Sequence, residues 1–105
     1  MATKEIAGDT VDVNEEGYLT EFNQWNEVIG EAIAKEEGID QMTDRHWEVI
    51  KYLQKYFEEN NVMPSIRKLK KSGVVDTKEF YSLFPGGPLK KSSKIAGLKK
   101  PESCI

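Results

Sequence analysis

The apolar residues begin the chain two apart and then change to spacings of three and four. Val11 and Val13 alternate with polar neighbours. With Glu5-Ile6-Ala7 across Gly8-Asp9 they predict a small β-hairpin that turns at those two residues. Asn14-Glu15-Glu16-Gly17 reads as a second turn, which returns Tyr18 and Leu19 to the core. A lone hairpin is marginal in water, so this one must lean on helices.

From Gln24 to Glu37, Trp25, Val28 or Ile29, Ala32 and Ile33 fall at helical spacing, with acids on the other side. Asn23 is the expected N-cap and Gly38 the expected left-handed stop. Asp44 to Asn60 is the clearest helix. Thr43 caps it, and Asp44 sits in the first turn, where its charge suits the helix dipole. Trp47, Ile50, Leu53 or Gln54, and Phe57 form a stripe that Val49, Tyr52 and Tyr56 widen. So broad a stripe predicts a helix buried on most of its circumference, the central one of a bundle.

Pro64 opens a short third helix, Ser65 to about Lys71, which Ser72-Gly73 ends. Asp76-Thr-Lys-Glu79 has the spacing of a capping box and starts a fourth helix reaching to about Phe84. Pro85-Gly86-Gly87 breaks that helix. Pro88 then fits the first turn of a fifth, which ends near Ala96 with Gly97 beyond. From Leu98 onward there is no periodicity. The expected architecture is mainly α. Residues 1–97 form a small orthogonal bundle of about five helices with a helix-turn-helix-like pair and an N-terminal β-hairpin, and residues 98–105 form a flexible C-terminal arm.

Composition narrows the class. At 105 residues the chain suits one domain with a modest core. No stretch nears the roughly 18 consecutive apolar residues of a membrane helix, and the N-terminus lacks the layout of a secretory signal. A cytoplasmic, monomeric protein is expected. The net charge of −3 hides an asymmetry: residues 1–61 carry five Lys/Arg against fifteen Asp/Glu, and residues 62–105 carry ten against three. Either the two halves attract each other in the fold, or the basic half docks on something acidic.

Cys104 is the only cysteine, so no internal disulfide and no multi-thiolate zinc site is possible. No metal and no cofactor are expected. Placed after Gly97 and Pro101 and one residue from the end, Cys104 reads as a reactive thiol on a movable arm. Lys90, Lys91, Lys94, Lys99 and Lys100 lend it a positive field that favours the thiolate. His46 is the only histidine. It is read as a structural first-turn residue rather than as a base for Cys104. Arg67 is either a solvated arginine or part of the surface on which the tail rests. The third and fourth helices have helix-turn-helix spacing, but the fourth offers only Lys78 as a cation and is largely apolar. A helix-turn-helix nucleic-acid binder is therefore kept only as the weaker alternative function, and direct nucleic-acid binding is not the expectation.

Phe84-Pro-Gly-Gly-Pro88, Lys94-Ile-Ala-Gly-Leu98, Lys100-Pro101 and Cys104-Ile105 resemble the C-terminal signature of the DsrC/TusE family of sulfur-relay and dissimilatory sulfite reductase gamma-type proteins. Glu15-Glu16-Gly17-Tyr18-Leu19, His46-Trp47-Glu48 and Pro64-Ser-Ile-Arg67 match in the same order. The resemblance implies a helical bundle with an N-terminal hairpin and a projecting arm. It also implies that Cys104 carries sulfur as a persulfide between partners, with Arg67, Lys94, Lys99, Lys100 and Pro101 serving partner binding. Members that work with sulfite reductase have a second arm cysteine, where this chain has Ser93. The single-cysteine members resemble TusE, which implies a TusBCD-like donor complex and an acceptor enzyme that makes 2-thiouridine at the wobble position of tRNA. The alternative it implies is a partner or regulator of sulfite reductase. Lys99 departs from the family pattern, which usually has proline there.

Overall fold

A computed structural model describes residues 2–98 of the chain. Two strands, β1 (Ala2–Ile6) and β2 (Asp9–Val13), pair antiparallel. The tight turn is Ala7-Gly8, one residue earlier than the sequence suggested, and both residues have positive φ (53° and 86°), as a two-residue type I′ turn requires. Both registers put Ile6, Val11 and Val13 on one face, so apolar alternation alone does not choose between them. Leu19 bridges back to Val13, and Tyr18 and Leu19 are buried, as the second turn implied.

A 3-10 turn at Phe22–Gln24 precedes α1 (Glu27–Glu36), which starts three residues later than expected. The cap is Asn26, whose side chain accepts the Ile29 N–H at 2.9 Å, rather than Asn23. Trp25 therefore stands outside the helix in extended backbone, and Val28 faces solvent while Ile29, Gly30, Ile33 and Ala34 are buried. Gly38 has the positive φ expected of it.

Helix α2 (Asp44–Asn60) matches its sequence span. Thr43 caps it, and Asn61 ends it in the left-handed conformation. The fully buried stripe is narrower than expected: Val49, Ile50 and Leu53, with His46 nearly so, while Trp47, Tyr52 and Phe57 are half-buried at its margins. Helix α3 (Ile66–Ser72) is capped by Ser65 and ended by Gly73. Helix α4 (Thr77–Leu83) is capped by Asp76, which accepts the Glu79 N–H at 2.7 Å. The Glu79 carboxylate does not return to the cap to close the box; Arg45 of α2 takes it instead. Gly87, at φ 119°, leads into α5 (Pro88–Ile95) with proline in its first turn. Helix α3 packs on α4 as a helix-turn-helix-like pair. Helix α5 is the hub: it packs on α1, α2 and α4, and Leu89 and Ile95 are fully buried with Phe80 and Phe84 of the preceding segment.

Candidate functional site

Of the residues singled out from the sequence, Cys104, Lys99, Lys100 and Pro101 lie outside the described residues. The place where α5 ends and the chain turns toward them lies within. A helix ends with four backbone carbonyls that have no partner in its own ladder. Here two are closed by the backbone. Leu98 N–H donates to Ser93 O at 3.0 Å and Gly97 N–H to Lys94 O at 3.1 Å, the two bonds of a Schellman motif. Gly97 takes the left-handed conformation this needs (φ 73°), and Leu98 is buried at 5% exposure.

The other two carbonyls are met by side chains from distant parts of the chain. Trp25 Nε1–H donates to Ile95 O at 2.7 Å, and the Gln54 side-chain amide donates to Ala96 O at 2.9 Å. The indole fills the space left by two glycines. A Cβ on Gly97 would lie 2.5 Å from Trp25 Cδ1, and one on Gly30 would lie 3.1 Å from Cζ2. Phe22 stacks on Trp25 with ring centroids 6.1 Å apart, and Trp47 meets it edge-on at 6.5 Å. The sequence reading placed Trp25 in a helix stripe and did not single out Gln54. The available signal was Gly30, a glycine inside a helix, which marks close approach of another group.

Ser93 lies inside α5 with no exposed surface, and its hydroxyl donates to Leu89 O at 2.6 Å. Lys94 is mostly covered: its Nζ pairs with Glu37 at 3.4 Å and sits 5.9 Å from the Tyr18 ring centroid. Its end also fills the space beside Gly17, where a Cβ would come within 3.2 Å. Lys91 donates to the Glu37 carbonyl and Tyr18 Oη to the Lys90 carbonyl. Burial, with the charges of Glu16 and Glu37 added, pushes the Tyr18 phenol up to about 12. Gly17 and Tyr18 of the Glu-Glu-Gly-Tyr-Leu segment thus pack against α5 at Lys90 and Lys94 and hold the helix.

Arg67 is exposed on α3, with no hydrogen-bond or ion-pair partner among the described residues. Lys68, Lys70 and Lys71 are exposed on the same helix, and Lys78 is exposed on α4. His46 has both ring nitrogens engaged. Thr43 N–H can only donate, so Nδ1 accepts it at 3.0 Å; Nε2 then carries the hydrogen and donates to Leu83 O at 2.9 Å. The ring also meets Phe84 edge-on. This is a cap and a clasp between α2 and α4, in keeping with the structural reading of His46. Arg45 adds a second clasp through Glu79 and the Val74 carbonyl. Hydrogen bonding from Arg45 holds the Glu79 carboxyl below its usual range. Among the described residues no group of three His, Cys, Asp or Glu is placed to hold a metal, and no helix is long and apolar enough to cross a membrane.

Comparison with known proteins matches residues 5–105 to the family described as DsrC like protein. The chain is 40% identical over 105 residues to sulfurtransferase TusE of Salmonella typhimurium strain LT2, covering 93% of this chain and 95% of that one. It is 37% identical to the dissimilatory-type sulfite reductase gamma subunit of Nitratidesulfovibrio vulgaris, covering all of both chains. Its fold matches the crystal structure of dissimilatory sulfite reductase I (DsrI) with a TM-score of 0.88 at 38% identity, over 99% of this chain and 100% of that chain.

Proposed function

The chain belongs to the DsrC-like protein family, and from that premise we propose that it is a cytoplasmic sulfur carrier that accepts and delivers sulfur as a persulfide on Cys104. In the accepting step the Cys104 thiolate attacks the outer sulfur of a donor persulfide. The new sulfur–sulfur bond forms as the old one breaks, and the donor cysteine leaves as a thiolate. The proton stays on the transferred sulfur, and no net oxidation or reduction occurs. In the delivering step an acceptor thiolate attacks that same outer sulfur and Cys104 leaves as a thiolate. Neither step needs a cofactor.

The observation that carries this reading is the near-complete match to a sulfurtransferase TusE in a chain whose only thiol is Cys104. At position 93, where a second thiol would permit closure within the chain, there is a buried serine bonded to Leu89. With one thiol, the sulfur's next stop is another protein. We assign the donor to the TusBCD type and the acceptor to an enzyme that thiolates tRNA, with a monomeric carrier between them. Arg67 on the body, with Lys99, Lys100 and Pro101, supplies contacts to them, while Lys94 serves chiefly by holding α5 against Glu37 and the Gly17-Tyr18 turn.

Intact mass after incubation with a persulfide donor tests the proposal. The expected result is a gain of one sulfur atom that dithiothreitol removes and that is absent in Cys104→Ser. No gain from any persulfide donor overturns it. The match to the sulfite reductase gamma subunit supports a second reading, a partner or regulator of that enzyme. Under it, Cys104→Ser keeps binding to the reductase and truncation after Gly97 abolishes it.

A further inference from the structure

We infer that Trp25 and Gln54 are positioning residues for sulfur transfer, fixing the point at which the chain leaves the folded body on its way to Cys104. The inference rests on the carrier reading above. At the end of α5 each of the last four carbonyls has a donor. The Schellman bonds take Ser93 and Lys94, and the two that remain are taken by side chains 70 and 42 residues away in sequence. Apolar packing alone does not require this. A leucine or methionine at position 54 would fill the space on α2, but Ala96 O, on a buried residue, would then lose its donor. An indole, with Gly97 and Gly30 stripped of side chains to admit it, brings its one N–H to Ile95 O. The result is that residues 95–98 are tied to the segment before α1 and to α2, not merely to their own helix.

Six peptide links separate Leu98 from Cys104, so the Cys104 Cα stays within about 22 Å of the Leu98 Cα whatever course the chain takes. Over so short a length of chain, the point of exit bounds the volume open to the thiol. A partner that grips the body finds the thiol at an effective concentration fixed by that volume. Loosening the anchor enlarges and shifts the volume without altering the thiol.

The test uses Trp25→Phe, which keeps a ring but loses the donor, and Gln54→Met, which keeps length but loses the donor. Because Cys104 is the only thiol, a nitroxide placed on it broadens nearby body amides in the NMR spectrum. In each variant the broadening profile is expected to spread to further amides, while the chemical shifts of β1, β2 and α3 hold. The rate of sulfur acceptance from a persulfide-loaded TusBCD-type complex should fall about fivefold, as the thiol's effective concentration drops with the larger volume open to it. Reaction of Cys104 with Ellman's reagent, which needs no docking, should be unchanged. Profiles that coincide with wild type in both variants overturn the inference, as does an altered profile with undiminished sulfur acceptance. Equal slowing with Ellman's reagent also counts against it, since the effect then lies in the thiol. If wild type accepts no sulfur from the complex, the donor assignment fails, and the broadening profile still decides whether the two side chains hold the exit. Should Trp25→Phe fail to fold, Gln54→Met carries the test alone.

Discussion

Replacing Gly97 by alanine separates two costs that the structure assigns to one position. The first is conformational: at φ 73° an L-residue other than glycine pays about 1–2 kcal/mol. The second is steric. The new Cβ would lie 2.5, 2.8 and 3.0 Å from Cδ1, Cγ and Cβ of Trp25. These atoms sit near the root of the side chain and cannot swing aside as a flexible tip would. The ring must shift, which breaks its bond to Ile95 O and leaves that carbonyl short of a donor, a further ~2 kcal/mol. Gly73 provides the control. It has φ 81°, also ends a helix, and a Cβ there meets nothing within 4 Å. Urea denaturation should therefore find Gly97→Ala about 2 kcal/mol more destabilising than Gly73→Ala. In a Trp25→Ala background most of that excess should vanish, since the contacts at 2.5 and 2.8 Å go and only the one to Cβ at 3.0 Å stays. If the two glycine variants differ by less than about 0.5 kcal/mol, or the excess survives removal of the indole, then Trp25 is not what excludes a side chain at Gly97.

Three further outcomes are expected. His46→Ala should cost about 2–3 kcal/mol in denaturant unfolding, through the weakened cap and the orphaned Leu83 carbonyl, and leave the Ellman reactivity of Cys104 unchanged; a matching loss of thiol reactivity would restore the catalytic reading of the histidine. Tyr18 keeps its proton in the folded state to a higher pH than in the unfolded chain. Its contribution is therefore complete below about pH 10 and is lost as pH climbs from there toward 12, so the stability difference between wild type and Tyr18→Phe should shrink across that window, read by urea unfolding at successive pH values. In Ser93→Cys/Cys104→Ser the single thiol should react with Ellman's reagent on the order of tenfold more slowly than wild-type Cys104, because position 93 has no exposed surface; equal rates would mean that α5 does not cover it.

The helices were legible where a polar cap and an apolar stripe agreed. Thr43 with the run from Trp47 to Phe57, and Pro88 and Gly97 around α5, each marked a boundary that the backbone keeps, while Ser65, read as the first residue of α3, is its cap. The start of α1 was misplaced because Asn23 and Asn26 are equally good caps by residue type. The deciding factor is tertiary: Trp25 is needed outside the helix to reach Ile95 O, 70 residues away. The hairpin register was ambiguous for a different reason, since the two candidate turns leave the same residues facing inward. Glu79 shows a third kind of limit. Its spacing fits a capping box, but Arg45 offers a charged partner with two hydrogen bonds, which outcompetes a single neutral N–H. The family resemblance, which rests on short runs of side chains, located Cys104 and Ser93 at once. The anchoring pair Trp25 and Gln54 escaped it, because what they bind is backbone and carries no side-chain signature.

The placement of Trp25 has an optical consequence. The chain contains two tryptophans, and both lie at one spot, their rings 6.5 Å apart where α5 ends. Ultraviolet emission excited at the red edge of protein absorption thus originates entirely beside the stem of the cysteine-bearing segment. A partner that docks at that spot would change the polarity around a half-buried indole and shift its emission wavelength. Such docking can then be followed on unlabelled protein in real time, with the thiol left free for its chemistry.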